Sequence, residues 1–335
     1  MPAGVISLTD SLAQIHTIAA KEIRDVARSG IIVAVAGFLF LASMVALGVS
    51  ALALHADVVA YEEAKALLIS LGKPVEALVA PTYFPLRLMR GFVEQIEIIG
   101  AVLGIVLGYR AAAIERGRNT LALLMTRPIG QSVFLAGKLG GNAVLIGFSL
   151  ALAFCSGLLA IMLIGGVSFT GEEYLKVFLS LLAAVVYTTS FFILGLVLAL
   201  HVRRLPHALL YAFAIWLSFV LVAPQIGDTL DPDNQVSGGV FRKLHIAKAQ
   251  EKEIMQSFAN YETIRNGIEE ASPAKHFERL TFALLGIKET YNGLPILTIL
   301  DERTRDPVSL VLILMAMGGL LFAWPINFNR ITKET

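Results

Sequence analysis

Residues 31–54 read IIVAVAGFLFLASMVALGVSALAL, twenty-four positions without a charged side chain. A bilayer core about 30 Å thick needs about twenty apolar residues of helix to cross it. This run is long enough. It begins only after thirty mixed residues and exceeds the apolar region of a secretory signal, so an uncleaved chain starting in the cytoplasm is expected. Backbone groups in hydrocarbon must be paired within their own segment, which makes a helix the default. Five more runs follow, at 93–113, 143–166, 174–200, 208–224 and 307–326. The second opens with Glu94 and Glu97, and the fifth is short but carries Tyr211, Phe213, Trp216 and Phe219.

Composition agrees with six spans. Of 335 residues, 56% are hydrophobic and 16% charged, whereas soluble domains carry about a quarter charged residues. Mean hydropathy is +0.73. With 27 bases against 26 acids, no basic surplus argues for nucleic acid as a partner. The one cysteine, Cys155, lies inside the third run. It excludes a disulfide framework and a cysteine metal site, and reads as a small residue packed between helices.

Basic residues orient the spans. Segments sharing a face with the N-terminus hold Lys21, Arg24, Arg28, Arg110, Arg116, Arg118, Arg127, Lys138, Arg203, Arg204, Arg330 and Lys333. The opposite short segments hold Lys65, Lys73, Arg87 and Arg90. The positive-inside rule then places both termini in the cytoplasm of an inner (plasma) membrane, multi-pass protein. The expected fold class is an all-α integral membrane protein with four parts. Residues 1–30 form a cytoplasmic or interfacial amphipathic helix, and 31–224 form spans one to five. Residues 225–306 form an extracytoplasmic helical subdomain, and 307–335 the sixth span and tail.

In the first part, Ile15, Ile18, Ala19, Ile23 and Val26 make an apolar stripe with Lys21, Arg24 and Arg28 off it, which suits a helix lying in the membrane interface. In the third, Ile254, Phe258, Tyr261, Ile264 and Ile268 recur at helical spacing and predict a buried face. Ser272 and Pro273 predict an N-cap and first turn, with Phe277, Leu280 and Leu284 on one face. Asn292 and Gly293 mark a turn.

Residues that could do chemistry are missing from the pattern. The six histidines are scattered, and no H-E-x-x-H or G-x-S-x-G occurs. His201 and His207 flank a short cytoplasmic turn, where contact with headgroups is expected. The Gly-Lys pairs 72–73 and 137–138 lack the following Ser or Thr and the upstream glycine of a phosphate-binding loop. No catalytic residue, metal ligand or cofactor is therefore assigned. Ion-coupled carriers keep ionisable groups inside their spans, and the clearest four interiors have none. Glu94 and Glu97, three apart on one helical face, are candidates for contact with a substrate or with the outer subdomain. Gly147 with Ala151, and Ala153 with Gly157, give the third span a small-residue packing face.

Residues 115–141, ERGRNTLALLMTRPIGQSVFLAGKLGG, fall on the cytoplasmic side between the second and third spans. Residues 120–126 are apolar but too short to cross, and Pro128 breaks them. A brief helix presenting Leu121, Leu124 and Met125 to something apolar fits this pattern. Here the chain resembles the membrane subunits of type-2 ABC transporters. The resemblance rests on Glu115, Gly117, Thr120, Leu121, Leu124, Arg127, Pro128, and the later Gly137 and Lys138. Ala20, Lys21, Glu22, Ile23 and Arg24 followed by Arg28 resemble the interfacial connecting helix of that family.

The resemblance implies a permease subunit of an exporter that pairs with a second permease as a homo- or heterodimer. Each permease would dock a separate cytoplasmic ABC ATPase through this first loop, and ATP and Mg would be bound in that ATPase. Arg116 and Arg118 stand where the family more usually carries acids. The competing reading is a membrane scaffold or assembly factor that transports nothing and binds a partner through its outer subdomain.

Overall fold

The computed structural model describes residues 8–72, 84–117, 129–165, 168–230, 250 and 259–326. Its regular elements are all helical. Helix α1 (Leu8–Arg28) ends at a corner where Gly30 takes a left-handed φ of 70°, and α2 (Ile31–Ser70) departs from it. At 1.5 Å per residue, the 40 residues of α2 extend about 60 Å, twice a bilayer core. Residues 55–70, beyond the first apolar run, therefore continue the same helix. They are rich in good helix formers, include the Glu62–Lys65 pair at 3.8 Å, and meet no breaker before Gly72 (φ 63°).

The second span starts at Pro85 rather than at residue 93. A 3-10 turn (Pro85–Met89) leads into α3 (Arg90–Gln95), a widened π-type stretch (Ile96–Gly100) and α4 (Ala101–Gly117). Then come α5 (Gln131–Gly165) and α6 (Gly171–His201), the latter opened by a capping box of Thr170 and Glu173. Helix α7 (Leu205–Trp216) passes through a second π-type stretch (Leu217–Val222) into α8 (Ala223–Leu230). The remaining described helices are α9 (Ala259–Glu270), α10 (Pro273–Leu284), α11 (Ile296–Glu302) and α12 (Arg305–Ala323).

Among the described residues, six helical segments are long and apolar enough to cross a membrane: Gly37–Ser70, Pro85–Arg116, Gln131–Leu163, Gly171–His201, Leu205–Ile226 and Arg305–Ala323. Each overlaps one of the six runs read from the sequence. The protein is an all-α integral membrane protein.

Helix α6 is the axis of the bundle, and its largest interface is with α4. Glycines allow that approach. A Cβ on Gly104 would fall on the Thr188 carbonyl oxygen, one on Gly108 on that of Phe192, and one on Gly195 on that of Ile105. Hydrocarbon gives helices no hydrophobic reason to associate, so close backbone packing of this kind is what holds them. Gly100, Gly104 and Gly108 recur every fourth residue. The tight small-residue face thus lies on the second span. On the third, a Cβ at Gly147 or Gly157 would meet side chains at ordinary distances of 3.6–3.9 Å.

Other expectations need correction. Cys155 is exposed on the outside of the bundle rather than packed between helices. The half-buried His201 ring lies 4.2 Å from Trp324 and its Nδ1 is 2.8 Å from the Val197 carbonyl oxygen, tying α6 to the end of the sixth span. Ile264 is exposed, so the apolar stripe of α9 is not closed there; Ile254 and Phe258 lie outside the described residues.

The helices between the fifth and sixth spans are anchored on the spans. Ser272 caps α10 by accepting from the Lys275 amide, and its hydroxyl donates to the Phe219 carbonyl at 2.5 Å. Phe277, Leu280 and Leu284 are buried. Phe277 stacks on Tyr187 at 4.9 Å, and the Tyr187 hydroxyl donates to the Glu97 carbonyl at 2.7 Å. Both nitrogens of buried His276 face acceptors, Asp306 Oδ1 at 2.8 Å and the Glu270 carbonyl at 2.9 Å. Gly293, at φ 72°, makes the expected turn.

Candidate functional site: a charged node between the second and third spans

Helix α1 lies across the start of α5. Gly137 and Gly141, one turn apart, let it settle there: a Cβ on Gly137 would stand 2.6 Å from Ile18 Cβ, and one on Gly141 2.7 Å from the Ala19 carbonyl oxygen. The stripe of α1 therefore packs against α5, with Val26 buried and Ile15, Ile18, Ala19 and Ile23 half-buried. Lys21, Arg24 and Arg28 stay exposed, while Glu22 turns inward with 6% exposure.

Lys138 follows Gly137 directly and points into the space between α1, α4 and α5, where it is 1% exposed. Its ammonium has three donors and three acceptors: Glu22 Oε1 at 2.6 Å, the Ala111 carbonyl at 2.8 Å and Glu115 Oε1 at 3.5 Å. The Phe134 ring lies 5.1 Å away. Glu115 Oε1 also accepts from Lys21 at 2.7 Å, and Asn142 Nδ2 donates to Glu22 Oε2 at 3.4 Å and to the Lys138 carbonyl at 2.9 Å. Two lysines and two glutamates balance in charge. Balance matters because a buried charge without a partner costs several kcal/mol. Burial pulls the Lys21 ammonium down, but the hydrogen bond and the charge of Glu115 outweigh it and hold Lys21 above the ordinary value of 10.5.

Arg116, next in the chain, faces the other way. Its guanidinium donates to the carbonyls of Ala199 (2.7 Å), Val202 (2.8 Å) and Arg203 (2.7 Å). These are orphan acceptors at the C-terminus of α6, where a cation is favoured. This base is therefore occupied inside the chain at 7% exposure. Gly117 ends α4. Thr120, Leu121, Leu124, Arg127 and Pro128 lie outside the described residues. Beyond them, Gln131 Nε2 donates to the Trp324 carbonyl at 3.2 Å, and its Oε1 accepts from the Ile326 amide at 3.3 Å. Both flanks of residues 118–128 are thus tied to spans.

Glu115, Lys138, Lys21 and Glu22, predicted as two separate groups, meet at this node. Glu94 and Glu97 do not. Glu94 pairs with Arg90 at 2.9 Å near the start of the second span, and Glu97 offers its backbone carbonyl to Tyr187. Among the described residues no cluster of His, Cys, Asp or Glu could hold a metal ion. Sequence reasoning missed Asn142 and the structural role of Arg116. The Gly137 and Gly141 spacing around Lys138 was the available signal that another helix lies there.

A family model described as ABC-2 family transporter protein matches residues 16–324. The chain belongs to the ABC-2 transporter family. Among curated proteins nothing matches. The family match spans α1 through the sixth span, so the charged node and the Arg116 clamp both lie within it. This ABC-2 protein is a multi-pass transporter permease, a membrane component that is not itself catalytic.

Proposed function

We propose that this ABC-2 protein is the permease subunit of an ATP-driven exporter in the inner (plasma) membrane, both termini cytoplasmic, docking a separate ATPase through residues 118–128. One observation carries the reading. The segment is flanked by Glu115 and Arg116 on one side and by Gln131 and Lys138 on the other; Glu115 and Lys138 are bonded to α1 and to each other, Arg116 to the end of α6 and Gln131 to the end of the sixth span. A push delivered to these flanks would be passed to the spans. ATP and Mg belong to the ATPase. Closure of a pair of ATPases would load the Lys138 node, which moves α1, α4 and α5 together, and the Arg116 clamp, which adds α6. Two permeases pair in the membrane.

Co-purification tests this. In mild detergent the permease is expected to carry an ATPase with it, and Leu124→Asp and Pro128→Ala are expected to weaken that association and the ATP turnover it supports. Unchanged association and turnover in both variants would remove the docking assignment. A permease that travels without an ATPase and supports no ATP turnover would belong to the scaffold reading.

A further inference from the structure

A groove of about 610 Å³ runs between α2 and the outer half of the second span. One wall is apolar and exposed, with Phe38, Leu41, Val45 and Val49 on a single helical face; Arg90 and Glu94 stand on the other. Its floor is the point where the helices touch, since a Cβ on Gly91 would lie 2.9 Å from that of Ala46. The volume is that of a small-molecule site.

Depth makes the charges informative. The Arg110 guanidinium donates to the Ser29 hydroxyl at 2.5 Å, beside the corner where the chain enters its first apolar run, and so marks the cytoplasmic boundary. Glu94 is sixteen residues outward along the second span, about 24 Å, and Arg90 twenty residues, about 30 Å. In a core about 30 Å thick, Glu94 sits within the outer leaflet and Arg90 at its outer rim. Ionisable side chains at such depth are costly and mark functional sites. These two pair at 2.9 Å, yet their side chains remain 62% and 46% exposed beside the groove. The second span runs inward, so the carboxylate lies on the hydrocarbon side of the guanidinium.

We infer that this groove binds an amphiphile whose headgroup carries its cation next to the tail and its anion farther out, the tail lying along Phe38, Leu41, Val45 and Val49. The inference rests on the transport reading above, for which it names the class of cargo. Glu94 meets the inner cation, Arg90 the outer anion, and the apolar stripe of α2 the chain. An amphiphile of the opposite order, with the anion next to its tail, would set like charges against each other.

The probes are dodecyl sulfobetaine, with the ammonium inside and the sulfonate outside, and dodecylphosphocholine, with the reverse order. Both are radiolabelled and titrated below micelle formation onto the full chain in phosphatidylglycerol nanodiscs. The sulfobetaine is expected to bind saturably and at least about fivefold tighter than its counterpart, and Glu94→Gln or Arg90→Gln to remove that preference. Leu41→Trp, at an exposed position, fills the groove and abolishes binding. The exchange of Arg90→Glu with Glu94→Arg reverses the preference.

Equal binding of the two probes, or variants that bind like the wild type, would overturn the inference. A Leu41→Trp chain that changes oligomeric mass while binding normally would also overturn it, by making the groove a seam between copies. The assay contains no ATPase. Probe preference in a chain that co-purifies with no ATPase from cells would sink the transport reading and leave the site standing, whereas co-purification of an ATPase without the probe preference would sink the site alone.

Discussion

Replacing Lys138 with methionine removes the ammonium on which three helices converge while keeping most of the side-chain volume against Phe134. It strands the Glu22 side chain, 7% exposed, and takes one partner from Glu115, 3% exposed. Lys21 still reaches Glu115 at 2.7 Å, but Glu22 keeps only Asn142 Nδ2 at 3.4 Å. Breaking a buried pair from one side costs about 3–5 kcal/mol, because the abandoned charge stays desolvated. At about 2–4 °C per kcal/mol, that is a fall in Tm on the order of 10 °C.

The second half of the cycle separates charge from packing. Glu22→Gln in the Lys138→Met background removes the stranded carboxylate and is expected to recover about 2–3 kcal/mol. Fluorescence-detected gel filtration of detergent-solubilised chain after stepwise heating reads all four members. A Lys138→Met loss below about 1 kcal/mol, or strictly additive single variants, would refute the buried node.

Three further outcomes follow from other contacts. Gly108→Ala drives a methyl group onto the Phe192 carbonyl and is expected to cost about 1–3 kcal/mol or more, whereas Gly140→Ala, with open space around it, should be neutral or slightly stabilising in the same heating assay. Arg116→Gln leaves carbonyls at the end of α6 without their cation; a loss of about 1.5–3 kcal/mol is expected, and proteolysis near residues 199–204 should accelerate. The Lys21 ammonium has a raised pKa, so its contribution is fully present below 10.5 and fades as pH rises through the raised value. The Tm gap between wild type and Lys21→Met should hold steady through neutral pH and shrink only above about 10.5.

The parts legible in the sequence were those governed by local rules. Twenty uncharged residues in hydrocarbon can only be helix, so the six spans could be counted without knowing what any of them touches. Ser272 and Pro273 announced the start of α10 because capping is settled within one turn. The continuation of α2 past residue 54 was less visible, since helix formers with a charged pair look alike in a helix and in a loop. Lys21, Glu22, Glu115 and Lys138 could be chosen as notable residues, but not as one site: they come from three helices, and the sequence separates Lys138 from Glu22 by 116 positions.

What the sequence determined alone was therefore the class of molecule: its spans, an amphipathic first helix, and a resemblance to a transporter family through a short pattern between the second and third spans. Tertiary structure decided which charges face water and which face each other. Arg116 and Lys138 look alike as bases between two spans, yet one closes the end of α6 and the other lies at the junction of α1, α4 and α5. The physical reason is that a charge's role depends on the acceptors within about 3 Å of it. Those distances come from glycines such as Gly108, Gly137 and Gly141, whose missing side chains show how near another helix comes only once that helix is in place.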